Sequence, residues 1–186
     1  CIGPPYYNYN CDDIAILNQI IASNETFSGS QSYELGTQGW YGSTGDIEEE
    51  DPSFGRIYSL IINDYAFESN IILVPDEIGN LTYLKYLYLN NNGIVYLPES
   101  ISSLTNLEYL SLKYNDIGSL PSNIGNLTSL KYLDLTQNEF TSLPSSIGQL
   151  NNLLELNLHS NTLPTLPDEI GNLTSLNKLI LSATQL

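Results

Sequence analysis

The single histidine of this chain, His159, follows Glu155 and Asn157 in the stretch LLELNLHSN, and Asp134 stands upstream in a similar stretch, LKYLDLTQN. Histidine acts as a general base when a nucleophile or second titrating group lies within hydrogen-bond range. Glu155 and Asp134 are the nearest candidates by spacing, but no motif frames them, so His159 reads as a solvated side chain and the chain as a non-enzyme. The acidic run DIEEED, with Asp46, Glu48, Glu49, Glu50 and Asp51, offers the carboxylate oxygens that Ca²⁺ takes. It lacks the alternating spacing and turn glycine of a calcium loop, and reads as a solvated charge run with no metal held. Two cysteines, Cys1 and Cys11, are too few for a metal ligand set or a disulfide framework. What remains is tyrosine, 14 of them against one Trp and 4 Phe. Its rigid apolar body and polar tip suit binding rather than covalent chemistry.

Charge narrows the partners. Five Lys plus Arg face 21 Asp plus Glu, a net charge of −16. Nucleic acid and anionic lipid surfaces repel such a chain, because binding either depends on basic residues neutralising phosphates. No run approaches the roughly 20 apolar residues of a membrane-spanning helix. The chain contains no Met and opens on Cys1, from which we expect that the initiator and a signal peptide have been removed. Cys1 then has two readings. One is the lipid-bearing cysteine of a bacterial surface lipoprotein with IGPPYYNYN as tether; the other is a Cys1–Cys11 disulfide, which an oxidising compartment permits. Both imply export, to the cell surface (an outer-membrane lipoprotein) or the medium, and the lipid reading is preferred. Membrane contact is then expected only through that lipid.

The elements that position these residues show themselves as a repeat. Pro75, Pro98, Pro121, Pro144 and Pro167 are each 23 residues apart, and so are Leu84, Leu107, Leu130, Leu153 and Leu176. Each unit carries LxxLxLxxN, as in LKYLYLNNN and LEYLSLKYN. In LKYLDL the period-two alternation turns Leu133 and Leu135 inward, with Leu130 at the strand's edge, and Tyr132 and Asp134 outward: a half-buried strand. Neighbouring units add rungs to a parallel sheet about 4.8 Å apart. The closing Asn92, Asn115, Asn138 and Asn161 form a structural polar ladder in the turns, and the segment LPSNIGNL returns the chain with Ile124 and Leu127 toward the core. Asn80, Asn126 and Asn172 begin Asn-x-Thr triplets that duplication of this unit explains; a fourth begins at Asn24.

On these motifs the chain resembles the leucine-rich repeat family in its 23-residue LPxxIGxLxxL form, over roughly residues 57–186. The resemblance implies an α/β repeat: a right-handed solenoid with a parallel sheet on its concave side and a short helical N-terminal cap. Residues 1–56 break the period and read as tether and cap. CDDIAILNQIIASN gives an amphipathic helix with Asp12 or Asp13 as N-cap and Ile14, Leu17, Ile20 and Ile21 on one face. Trp40, Tyr41 and Gly42, then Gly55, Arg56, Ile57 and Leu60, look like the cap of plant and bacterial members, with Trp40 covering the open core. The paired cysteines usual in the plant cap are missing, which points to a bacterial surface protein.

The outward sheet positions are the candidate ligand-binding face. One row reads Tyr86, Tyr109, Tyr132, Glu155; the other contains Tyr88, Asp134 and Asn157, with Tyr114 and His159 beside them. We expect Tyr86, Tyr109 and Tyr132 to stack, flanked by Tyr88 and Tyr114, as part of a surface for a protein, peptide or glycan, with no cofactor. The alternative is an accessory subunit of a larger membrane or extracellular complex, docking through a last repeat whose Leu179, Leu181 and Leu186 find no polar cap.

Overall fold

The computed structural model describes residues 11–22, 56–62 and 73–184. The expectations for Cys1, the tether, Trp40, the acidic run and Leu186 lie outside them, as does the side chain of Cys11. Six three-residue strands form one parallel sheet in chain order: β1 (Ser59–Ile61), β2 (Tyr86–Tyr88), β3 (Tyr109–Ser111), β4 (Tyr132–Asp134), β5 (Glu155–Asn157) and β6 (Lys178–Ile180). From β2 onward each residue pairs with the one 23 positions later, as in Tyr86↔Tyr109↔Tyr132↔Glu155↔Lys178. Ser59 pairs with Tyr86, 27 positions on, so the first unit is longer than the rest. This is the repeat solenoid that the leucine pattern implies.

The strands are short because their alternation ends at a turn built on one asparagine. Asn138 Nδ2 donates to the carbonyls of Leu135 (3.1 Å) in its own unit and Leu112 (2.9 Å) in the unit before. Its Oδ1 accepts the Ile117 N–H at 3.1 Å. Asn115 does the same with Leu112, Leu89 and Ile94, and Asn161 with Leu158, Leu135 and Phe140. Asn92 donates to Asn90 and Ile62. All four are buried. The residue before each takes left-handed backbone: Asn91, Tyr114, Gln137 and Ser160 have φ of 54°, 58°, 55° and 54°. That conformation costs a non-glycine residue about 1 kcal/mol or more, and the buried hydrogen bonds, each about 1 kcal/mol net, offset it.

The return segments wind as 3-10 turns, η1 (Asp76–Asn80), η2 (Glu99–Ser103), η3 (Ile124–Asn126), η4 (Ser145–Gln149) and η5 (Asp168–Asn172). A proline with fixed φ starts four of them, at Pro75, Pro98, Pro144 and Pro167, while Asn123 precedes η3. Between sheet and turns lie stacked rows of buried Leu and Ile, with Phe140 fully buried where neighbouring units have Ile117 and Leu163.

The helix α1 (Cys11–Ala22) sits against η1. It begins at Cys11, so Asp12 and Asp13 lie in its first turn and neither is the N-cap that the sequence suggested. Asp13 instead is fully buried, its carboxylate 2.8 Å from Arg56 Nη2 and accepting the Ile57 N–H at 2.7 Å. Arg56 in turn lies over the Tyr83 ring, 4.8 Å from its centroid. Ile16, absent from the expected apolar face, is the buried apolar residue among the described side chains of the helix, with Leu17 partly buried beside it; the side chains of Ile14, Ile20 and Ile21 are outside the described residues. At the other end β6 is half-covered, with Leu179 37% exposed.

Glycine at the return turn sets the spacing of this side. A Cβ on Gly125 would collide with the Ser146 carbonyl oxygen, and one on Gly79 with that of Ser100, whereas on Gly171 it would meet nothing within 4 Å. Gly125→Ala therefore forces two rungs apart and should cost about 2 kcal/mol, while Gly171→Ala should be neutral or stabilising. Urea unfolding of the two variants checks this; equal effects contradict it.

Candidate functional site

The outward face of the sheet presents two rows, separated by fully buried Leu87, Leu110, Leu133 and Leu156. Register places Tyr86, Tyr109, Tyr132, Glu155 and Lys178 in one row and Tyr88, Ser111, Asp134, Asn157 and Ile180 in the other. The observed stack does not follow a row. Tyr109 lies between Tyr88, with ring centroids 4.9 Å apart, and Tyr132, 5.6 Å apart, at interplanar angles of 30° and 31°. The expected stack of Tyr86, Tyr109 and Tyr132 is thus corrected: the ring that completes the trio is Tyr88, which crosses from the second row. Rings prefer such tilted, offset contacts to a sandwich. Tyr86 and Tyr132 remain 37% and 39% exposed. Tyr114 is held apart in its left-handed turn position, 45% exposed.

Charged pairs edge this ledge. Lys131 Nζ bonds Glu108 Oε2 at 2.6 Å, Lys178 Nζ bonds Glu155 Oε1 at 2.8 Å, and Lys113 Nζ stands 3.9 Å from Asp134 Oδ2. The hydrogen bond and charge of Glu108 raise the Lys131 ammonium above its ordinary value. Such exposed pairs add little stability; they fix where donors and acceptors sit. All four lysines of the chain, Lys85, Lys113, Lys131 and Lys178, fall in these strand and turn segments. Asp134 is also engaged locally, its Oδ1 accepting from the Thr136 N–H (3.0 Å) and hydroxyl (2.6 Å). Asn157 Oδ1 likewise accepts the His159 N–H at 3.1 Å.

His159 bonds neither Glu155 nor Asp134. Its Nδ1 is 2.9 Å from the Ser182 carbonyl oxygen and 2.8 Å from Ser182 Oγ, and its Nε2 is 3.0 Å from Ser160 Oγ. A carbonyl only accepts, so a bond to it puts the proton on Nδ1 and lets Nε2 accept the Ser160 hydroxyl. Among the described residues no carboxylate orients this ring, and no group of three or more His, Cys, Asp and Glu is placed to hold a metal. Sequence reasoning missed the lysine and glutamate pairing, although Lys85, Glu108 and Lys131 alternate in sign at one repeat position.

Residues 100–185 match the model of a leucine-rich repeat region and residues 68–117 that of a leucine rich repeat. The chain belongs to the leucine-rich repeat family. No curated protein sequence matches it. Among solved structures, it is 37% identical to a leucine-rich repeat protein of Leptospira interrogans, over 68% of this chain and 32% of that one, with a TM-score of 0.60. It is 28% identical to a plant ice-binding protein over 95% of this chain and 57% of that one, TM-score 0.70. It is 33% identical to the plant peptide hormone receptor RGFR1, solved in complex with RGF2, over 59% of this chain and 18% of that one, TM-score 0.53. The chain thus spans less than two thirds of each of these proteins.

Tyr109 offers a direct probe of the ledge. Burial first, then the neighbouring Tyr88 and the charges of Asp134 and Glu155, raise its phenol above the ordinary 10.0. Its neutral form is favoured in the folded state, so above pH 10 the unfolded chain releases this proton while the folded one keeps it. Stability from this group is present below pH 10 and falls as pH climbs from there through the raised value. An absorbance titration of tyrosinate should show a late component, shared with Tyr88, whose phenol burial also raises, and Tyr109→Phe should diminish it; a late component of unchanged size after that substitution contradicts the packing.

Proposed function

We propose that the sheet face is a recognition surface for an extended peptide or an exposed segment of a protein, and that the module performs no chemistry of its own. The carrying observation is the Tyr88–Tyr109–Tyr132 stack, an aromatic ledge partly open to solvent on a sheet whose other face is buried from β1 to β5. A ring held by its neighbours has little rotamer freedom left to lose on binding, which is why tyrosine serves so well in paratopes and hot spots. Paired lysines and carboxylates around the ledge supply donors and acceptors for a partner's backbone.

The family likeness supports this reading. RGFR1, which shares the fold and a third of the aligned residues, is a peptide hormone receptor. We infer from a receptor role of this kind that the module works outside the cell as an exported protein.

Panning a random peptide display library against the folded protein tests the surface. Binders should lose about tenfold or more in affinity to Tyr109→Ala and should keep full affinity for Ser145→Ala on the return side, with both variants still unfolding in one cooperative transition above the temperature of the assay. Binders indifferent to Tyr109→Ala overturn the reading.

A further inference from the structure

The stack stops at Tyr132, and the next rung carries a carboxylate in place of a ring. Ring centroids advance by 4.9 and 5.6 Å, close to the rung spacing of a sheet. The next position in register after Tyr132 is Glu155. The position on β5 in register with Tyr132 is therefore held by Glu155, where another ring would continue the ladder, and Tyr132 is 39% exposed. Asp134 lies one rung back in the adjacent row. The charges of Asp134 and Glu155 both reach the Tyr109 phenol in the middle of the stack.

A cation already occupies the carboxylate of this slot. Lys178, from β6, reaches back to Glu155 at 2.8 Å, with its own side chain 59% exposed. The contact shows that the Glu155 carboxylate accepts a positive group from an outward-facing side chain. Resting on the recognition reading above, we propose that an arginine side chain of the partner segment fills the slot, its guanidinium stacked on Tyr132 and bonded to Glu155 in place of Lys178. A guanidinium is the one cationic side chain that is planar enough to continue an aromatic stack and forked enough to grip a carboxylate with two parallel bonds. The net charge of −16 draws such a segment toward the protein as a whole. Lysine in the partner would satisfy the charge but neither the stacking nor the fork.

The test uses the folded chain and the peptide acetyl-Gly-Gly-Arg-Gly-Gly-amide, followed by NMR of tyrosine rings labelled with ¹³C. Saturable shifts should centre on Tyr132. Replacement of arginine by citrulline, which keeps the plane and loses the charge, should weaken binding about tenfold, as should Glu155→Gln. Lys178→Ala frees the carboxylate and should tighten binding about twofold, the scale of a released surface pair. Absence of saturable shifts, equal binding of the citrulline peptide, or indifference to Glu155→Gln overturns the slot. Display-derived binders separate this failure from the wider one. Sensitivity to Tyr109→Ala with indifference to Glu155→Gln leaves the recognition face standing and removes only the arginine slot; indifference to both removes both.

Discussion

One buried amide per turn holds this molecule in register. Each of Asn115, Asn138 and Asn161 bonds carbonyls of its own unit and, in the preceding unit, one carbonyl and one N–H. A buried polar group without partners costs about 1–3 kcal/mol, so slippage of one unit against the next would strand donors and acceptors along the whole turn. Hydrophobic burial alone would tolerate small shifts, because one leucine resembles another. The amide does not.

From that constraint the surface is built. Because each rung is fixed to the one before it, a residue type repeated at one position becomes a column, and tyrosines repeated near it become a stack with centroids at 4.9 and 5.6 Å. Ion pairs form between successive rungs in the same way, Lys131 to Glu108 and Lys178 to Glu155. On the return side the glycines of η1, η3 and η4 allow backbone of successive units to approach closer than any side chain would permit. The two sides of the solenoid thus use opposite means to one end. Polar side chains bind the turns together, and missing side chains let the returns close up.

Period and alternation are legible in the sequence because each position recurs with the same residue type. The Leu rows, the rung order and the candidate face come from spacing alone. Features made once are not legible. Tyr88 joins the stack from the second row by leaning across it, which depends on ring orientation rather than on register. Asp13 resembles a helix cap because caps are local; its actual partners, Arg56 and the Ile57 N–H, lie 43 and 44 positions away. Strand spacing sets His159 beside carboxylates, yet its ring turns to Ser182, one rung on. Left-handed backbone at Tyr114 has no signal at all, since neither glycine nor asparagine stands there.

Native-state hydrogen exchange of the Ile94, Ile117 and Phe140 amides, the donors to the ladder oxygens, tests the central claim most directly. If the ladder holds the rungs, all three exchange only through global unfolding, with the same denaturant dependence as the strand amides of Tyr109 and Tyr132. Exchange of those three at the rate of a surface turn, while the strands stay protected, would show that leucine burial alone keeps the register.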